Sequence, residues 1–307
     1  MSPSTSIELV EVGPRDGLQN EPMTISTGDK VELIARSVAA GVRRIEVASF
    51  VSPRRVPQMA DAEQVAAALP ADDGVIYIGL VLNERGAVRA LGTKLQELGA
   101  VCVTTDRFAG RNQGQTSDES IAVASRIVAM AKAAGRRGQI TISGAFGCPF
   151  EGEVDPDRTL SMAVQVAEAG SVEVALADTI GVASPRDVEA LVKRVAAAIS
   201  PVPVRVHFHN TRNTGLANVW TAVQAGARIV DASLGGLGGC PYAPNATGNV
   251  PTEDVVYMLE RSGVRTGLDL DRLIETTAWL SGKVGKALPG MVSRAGGFPR
   301  AQSERTT

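Results

Sequence analysis

The only two histidines of the 307-residue chain lie two positions apart, in the segment Val206-His207-Phe208-His209-Asn210. In an extended strand, successive side chains alternate between the two faces, so His207 and His209 would point the same way. Two neighbouring imidazoles can supply half of the ligands of a metal ion. They can also be two core histidines, each hydrogen-bonded to a neighbour, so the elements around them must decide between these interpretations.

Apolar, β-rich runs alternate with helical patterns along the chain. Helical segments begin where a capping residue precedes a proline, as at Asp155-Pro156 and Ser184-Pro185, and several end at an Ala-Gly pair. An open doubly wound sheet would carry a glycine-rich dinucleotide loop after its first strand, and residues 13–20 contain no such motif. We therefore predict an α/β fold, a TIM (β/α)8 barrel, with strands near residues 7–12, 43–49, 75–81, 100–104, 139–145, 172–177, 203–209 and 228–233.

Two further helices are predicted after the eighth strand, near residues 252–262 and 268–285. We expect one catalytic domain over residues 1–288, which comprises the (β/α)8 barrel and this extra C-terminal helical segment. The remaining residues, 289–307, are polar and are expected to form a mobile tail.

The composition is that of an ordinary globular protein, with 44% hydrophobic and 21% charged residues. A net charge of −2 provides no basic surface for nucleic acid, and no run of about 18 apolar residues predicts a membrane span. The three cysteines are odd in number and widely separated, which fits a reducing compartment better than a disulfide framework. The N-terminus shows no export or organelle signal, so we expect a cytoplasmic enzyme.

Active sites of TIM barrels lie at the carboxyl ends of the strands. One carboxylate and two imidazoles with open positions suit Mg²⁺ or Mn²⁺ when oxygen ligands and water complete the site. Zinc is the alternative, but no cysteine lies near the histidines in sequence and no His-Glu-x-x-His motif is present. The predicted carboxyl ends collect polar side chains from four strands: Arg15 and Asp16 after strand one, Glu46 in strand two, Asp178 at the end of strand six, and both histidines in strand seven.

Arg15 and Glu46 have two interpretations each. Arg15 beside Asp16 is either a plain salt bridge or a guanidinium that stabilises negative charge developing on a carbonyl oxygen. Glu46, in the middle of a buried strand, must be paired or protonated, because an isolated buried carboxylate is very costly. We expect Arg15 to be its partner, with Glu46 orienting the arginine rather than acting as a base.

Cys240 follows the glycine-rich segment Gly235-Gly-Leu-Gly-Gly239. Four glycines leave the backbone unusually free, so this loop could close over a site and carry the thiol with it. The other two cysteines, Cys102 and Cys148, are expected to be buried structural residues, because small apolar thiols usually are.

Several motifs resemble the 3-hydroxy-3-methylglutaryl-CoA lyase family, and the resemblance runs from about residue 7 to residue 285. It implies a metal-dependent TIM-barrel lyase that cleaves 3-hydroxy-3-methylglutaryl-CoA, or a close 3-hydroxyacyl-CoA analogue, to acetyl-CoA and acetoacetate or the corresponding keto acid. It also implies a homodimer. Besides His207-Phe-His209, the motifs are Val10-Glu-Val-Gly-Pro-Arg-Asp-Gly-Leu-Gln-Asn-Glu21, Ile45-Glu-Val-Ala-Ser-Phe-Val-Ser-Pro53, Gly147-Cys-Pro-Phe-Glu-Gly152, Asp178-Thr-Ile-Gly-Val182 and Gly235-Gly-Leu-Gly-Gly-Cys-Pro-Tyr-Ala243.

The resemblance also implies roles for individual residues. Arg15 would be the catalytic arginine, Cys240 would donate the proton that completes acetyl-CoA, and either His207 or Asp16 would assist proton removal from the substrate hydroxyl. The implied metal ligands are Asp16, His207, His209 and Asn249. Residues implied to support the site or to lie close to the substrate are Gln19, Glu46, Asp178 and Thr179.

Three departures from the family pattern bear on the substrate. The chain reads Asn210-Thr-Arg-Asn-Thr214 where the family usually reads Asp-Thr-Tyr-Gly-Gln, and it has Phe150 for a tyrosine and Ala175 for a serine. None of these is a metal ligand or Arg15, so we expect bond cleavage to be retained. We expect the departures to bear on which substituent at the 3-position is preferred.

Two other functions compete with a lyase. An acetyl-CoA-dependent condensing enzyme, of the 2-isopropylmalate or homocitrate synthase kind, would share the Arg-Asp and His-x-His pairs but lack the Cys240 loop. A non-catalytic acyl-CoA-binding barrel would need none of the chemical residues that are present.

Overall fold

Eight parallel strands close into a barrel in chain order. The computed structural model describes residues 6–70, 74–239 and 248–299. The barrel closes where β1 pairs with β8, from Glu8 opposite Ile229 to Glu11 opposite Ala232. The predicted TIM barrel is thus confirmed. Its strands are β1 Glu8–Glu11, β2 Arg44–Ser49, β3 Ile76–Val81, β4 Glu97–Val103, β5 Arg137–Ser143, β6 Val174–Asp178, β7 Val204–Phe208 and β8 Ile229–Ala232.

Only β4 begins clearly before its predicted position. It starts at Glu97 rather than near residue 100, because Glu97 is fully buried and its carboxylate accepts hydrogen bonds from Arg44 and Arg137. A charged residue at a strand start does not stand out in an apolar pattern. Its ion-pair partners lie on other strands and are not visible in the local sequence.

Helices alternate with the strands and cover the outside of the barrel. Asp155 and Ser184 cap the helices that begin at Pro156 and Pro185, as predicted. The two helices predicted after the eighth strand are also present. In the described part of the chain the helices are α1 Thr27–Ala39, α2 Ala62–Ala68, α3 Glu84–Leu91, α4 Asp106–Gln113, α5 Ser117–Ala133, α6 Pro156–Glu168, α7 Pro185–Ala198, α8 Gly215–Ala225, α9 Thr252–Arg261, α10 Leu270–Val284 and α11 Val292–Ala295.

The segment after α10 contacts the loop that follows β8. The backbone N–H of Gly290 donates to the Gly235 carbonyl, and the Asp254 carboxylate accepts from the N–H groups of Met291 and Val292 at the start of α11. The predicted tail therefore begins with an anchored turn, and residues 300–307 lie outside the described residues. None of the helices described is long and apolar enough to cross a lipid bilayer.

Candidate active site

A tight turn places Arg15 and Asp16 over the mouth of the barrel, directly after β1. The Val12 carbonyl accepts from the backbone N–H groups of Arg15, Asp16 and Gly17 at 3.2, 2.7 and 3.2 Å. A side chain at Gly17 would crowd the loop after β8, because its Cβ would lie 3.0 Å from Ser233 Oγ. The glycine lets the turn sit close against that loop.

Strand β7 delivers the two histidines to the same point. His207 lies in the strand and His209 follows it, with ring centroids 5.2 Å apart. One ligand atom each from Asp16, His207 and His209 lie within 4.8 Å of one another. The structure therefore brings together three of the four predicted metal ligands in a cluster that fits one ion.

Asn249 completes this cluster. A β-bridge pairs it with His209, and its Nδ2 donates to Asp16 Oδ2 at 2.8 Å and to the Leu237 carbonyl at 3.1 Å. Its Oδ1 and the Nδ1 of His209 are buried and have no hydrogen-bond partner among the described residues. Unpaired buried acceptors are costly, and a cation would satisfy both. The donor set, two oxygens and two imidazoles, thus fits a divalent ion.

The surroundings of the cluster favour the ligand forms of Asp16 and His209. Burial alone would raise the pKa of Asp16, but the Arg15 guanidinium and the two imidazoles hold it well below its usual value. Burial, together with the neighbouring His207, lowers the pKa of His209 to about 4. Asp16 is therefore a carboxylate and His209 a neutral imidazole near pH 7, and both have lone pairs for a cation.

Arg15 pairs with Glu46, as expected. Its Nε donates to Glu46 Oε1, and its Nη1 donates to Asp16 Oδ1 at 2.6 Å. Burial opposes the charged guanidinium, but the two carboxylates raise its pKa above the ordinary value. The arginine is thus a fixed cation beside the cluster, and Glu46, which is 2% exposed, holds it in place.

These side chains face a cleft of about 690 Å³. Gly239 also lines the cleft, and its carbonyl accepts from Asn20 Nδ2 at 2.9 Å. Cys240, the predicted loop thiol, lies outside the described residues. The predicted site residues that line the cleft are Arg15, Asp16, Gln19, Glu46, Thr179, His207 and His209.

Asp178 and Thr179 organise the loops around the cleft. The Asp178 carboxylate is buried and accepts from the N–H groups of Val182 and Ala183, so it shapes the turn after β6 and does not line the cleft. Thr179 Oγ1 accepts from the N–H of Gly144 and therefore joins this turn to the end of β5.

Asp231 is a site residue that the sequence analysis missed. It lies in β8 opposite His207, lines the cleft, and its Oδ2 is 3.1 Å from His207 Nδ1. Burial opposes the charged imidazole, but this contact raises the pKa of His207. An aspartate inside the apolar strand Ile229–Ala232 is the same kind of signal that singled out Glu46, and it could have been found in this way.

Comparison with known proteins identifies the family. A family model described as HMGL-like matches residues 6–280. The chain belongs to the HMGL-like family. It is 43% identical to an (R)-citramalyl-CoA lyase of Chloroflexus aurantiacus over 95% of both chains, and 38% identical to a hydroxymethylglutaryl-CoA lyase of Bacillus subtilis over 92% of this chain and 95% of the relative. An HMG-CoA lyase from A. baumannii, solved with coenzyme A and 3-methylmalate, superposes with a TM-score of 0.93 at 38% identity over 99% of each chain.

The three departures from the expected family motifs lie in different places. The Phe150 ring packs against the Arg111 guanidinium, whose carbon lies 4.4 Å from the ring centroid, and Arg111 is an exposed residue that lines the cleft. Ala175 lies in β6 beside Thr141, another lining residue. In the segment after β7, Arg212 donates to two carbonyls of the turn after β6. The first two positions therefore adjoin the cleft wall of this HMGL-like protein, whereas Arg212 joins two loops.

Proposed function

We propose that this HMGL-like protein is a divalent-cation-dependent carbon–carbon lyase. It would cleave a 3-hydroxy-3-methylacyl-CoA that carries a carboxylate and release acetyl-CoA and an oxo acid. The observation that carries this proposal is the cluster of Asp16, His207, His209 and Asn249, with two orphaned buried acceptors, beside the fixed Arg15 cation. A non-catalytic barrel would have no need to bury such groups at one point.

Two substrates of this class are candidates. 3-Hydroxy-3-methylglutaryl-CoA is our first choice, because the sequence motifs resemble those of lyases named for it. Several relatives of the chain also carry this name. (R)-Citramalyl-CoA is the second choice, because a relative with 43% identity is named for it. The two differ by one methylene between the carbinol carbon and the carboxylate. The first would give acetoacetate and the second pyruvate, each with acetyl-CoA.

The chemistry divides among the residues of the cleft. Cleavage needs loss of the hydroxyl proton, cleavage of the C2–C3 bond, and protonation of C2. A bound divalent cation would make the hydroxyl easier to deprotonate. Arg15 would stabilise the negative charge on the thioester oxygen, and Cys240 would protonate C2. The hydroxyl proton would pass to one of the two candidate bases, His207 or Asp16.

Other lining residues fit the remainder of such a substrate. Gln19 Oε1 is buried without a hydrogen-bond partner among the described residues, so it can accept from a substrate hydroxyl. Arg55 and Arg111 line the cleft and are exposed, so their charges can meet the phosphates of CoA.

The test is a direct assay of both thioesters. Purified protein is incubated with Mg²⁺ or Mn²⁺ and each substrate, and acetyl-CoA, acetoacetate and pyruvate are measured. We expect cleavage of at least one thioester and a loss of more than about 100-fold in His209→Ala, since a cation ligand is removed. Asp16→Asn removes another cation ligand and should lose activity to a similar extent, and Asp118→Asn, a change of an exposed aspartate that does not line the cleft, is its control.

Two outcomes of this assay would contradict the proposed lyase activity. If neither thioester is cleaved with either cation, the proposal fails. If instead the protein releases free CoA from acetyl-CoA only when a 2-oxo acid is added, it is a condensing enzyme on the same barrel.

A further inference from the structure

The interior of the barrel below the cleft contains a layer of buried ionised side chains. Arg44, Glu97, Glu173 and Arg205 are each at most 1% exposed. Interiors of TIM barrels are usually filled by branched apolar residues. Buried ion pairs contribute little net stability over apolar residues of similar volume, because desolvation of the charges is costly. The layer therefore calls for a role other than stability.

The layer holds the Arg205 guanidinium in one orientation. Arg44 Nη1 and Nη2 donate to the two oxygens of Glu173 at 2.8 and 3.0 Å, and Arg205 Nη1 donates to Glu173 Oε1 at 3.0 Å. Arg44 Nη2 also donates to Glu97 Oε1 at 2.5 Å. Because the guanidinium fork is planar, these contacts fix the direction in which Arg205 presents Nε.

Arg205 connects this layer to the candidate metal cluster. Its Nε donates to Asp231 Oδ1, while the other oxygen of Asp231 faces His207 Nδ1 at 3.1 Å. Arg205 and His207 lie two residues apart on the same face of β7, and Asp231 lies opposite His207 on β8. An unbroken chain of contacts thus runs from Glu173 through Arg205 and Asp231 to the imidazole.

We propose that Arg205 is a positioning residue, which acts through Asp231 to fix the orientation of the His207 ring. With Nδ1 donating to Asp231, the second ring nitrogen of His207 is kept towards Asp16 and His209. This inference rests on the proposed cation site. It assigns to the buried charge layer the task of holding one ligand in place before the cation arrives.

The experiment measures cation affinity without turnover. Mn²⁺ is titrated into metal-free protein and free Mn²⁺ is followed by electron paramagnetic resonance, for the wild type and for Arg205→Met, Arg205→Lys and Asp231→Asn. We expect Arg205→Met and Asp231→Asn to weaken Mn²⁺ binding by roughly 10- to 100-fold, the usual effect of losing an outer support of a metal ligand. Arg205→Lys should recover part of the affinity, because it keeps the charge near Asp231.

Lys30→Met is the matched control. Lys30 is a cation that is buried as fully as Arg205, but it donates to Asp61 and to the Gln58 carbonyl and has no contact with the charge layer or Asp231. We expect Lys30→Met to lower the melting temperature while Mn²⁺ affinity stays within about threefold of the wild type. A general loss of structure would weaken binding in both variants alike.

The outcomes separate this inference from the proposed function. Wild-type affinity in both Asp231→Asn and Arg205→Met would overturn the positioning role alone. Equal weakening in Lys30→Met and Arg205→Met would also overturn it. Asp231→Asn is nearly isosteric and keeps the test decisive if Arg205→Met does not fold. A wild-type protein that binds no Mn²⁺ would overturn the proposed cation site, and this inference with it.

Discussion

Arg15 contacts a carboxylate on each side, and this geometry determines what a substitution would do. Its Nε bonds Glu46 and its Nη1 bonds Asp16, so the fork spans two partners. A lysine ammonium is a point charge without a fork and cannot hold both contacts in one plane. The charge would survive in Arg15→Lys, but its position would not.

We therefore expect Arg15→Lys to lower kcat by roughly 10²- to 10³-fold, as loss of a preorganised charge near a developing oxyanion does. Mn²⁺ affinity should change far less, because the cation ligands remain. Steady-state kinetics on the preferred thioester gives the result, with the exposed Arg126→Lys as the control. A kcat within threefold of the wild type would show that Arg15 is a plain salt bridge.

For individual residues, the sequence predicted a contact where the burial of a charged side chain was evident from the strand around it. Glu46 lies in a strand that is buried throughout, so a cationic partner was required, and Arg15 was the nearest candidate at the barrel mouth. Asp231 satisfies the same condition, but its partners Arg205 and His207 lie on a different strand. Their contact depends on the register between β7 and β8, which the residue pattern does not specify.

Among the elements, the end of β1 is joined to two later segments by one buried carboxyl group. Glu11 Oε1 accepts from the N–H groups of Gly13 and Leu234, and its Oε2 accepts from Thr252 Oγ1 at the start of α9. Burial, partly offset by these hydrogen bonds, raises the pKa of Glu11 from 4.5 to about 7. The proton is therefore bound more tightly in the folded state.

This shift predicts a pH dependence of stability in the metal-free protein. The stabilising contribution is complete below about pH 4.5 and is lost as the pH rises through about 7, since the folded state binds the extra proton in between. The loss amounts to roughly 3 kcal/mol of unfolding free energy. In Glu11→Gln an amide can keep all three contacts but does not titrate. The unfolding free energy of this variant should therefore fall less between pH 5 and pH 8.

Urea unfolding of both proteins at the two pH values measures this difference. Burial also raises the pKa of Glu253 to about 7. Because Glu253 is present in both proteins, its effect cancels to first order in the difference between wild type and Glu11→Gln. Parallel losses of stability in wild type and Glu11→Gln would contradict the assignment to Glu11.

The strands and helices could be predicted because their signals are local. Capping residues before Pro156 and Pro185, and alternating apolar runs, mark the elements wherever they pack. The turn at Gly13–Gly17 could not be predicted in this way. It places three N–H groups on the Val12 carbonyl and depends on close contact with the loop after β8, more than 200 residues later in the chain.

At the scale of the whole molecule, the candidate cation site brings together segments that lie at or beyond the ends of the first strand and the last two strands of the barrel. Asp16 follows β1, His207 lies in β7 with His209 directly after it, and Asn249 lies beyond β8. The count of eight strands predicted this closure, because only a closed barrel brings the first and last strands side by side. A bound cation would therefore add a further link between segments that strand pairing and the hydrogen bond from Asn249 to Asp16 already join.

This arrangement predicts that cation binding stabilises the fold. Mn²⁺ at about 100 times its dissociation constant should add roughly 3 kcal/mol to the unfolding free energy, because the unfolded chain holds no preformed site. For a chain of this size, we expect a rise in Tm of about 5 °C. Calorimetry with Mn²⁺, and again after EDTA, measures the shift and its reversal. Asp16→Asn should abolish it, whereas an equal rise in that variant would place the bound Mn²⁺ elsewhere on the molecule.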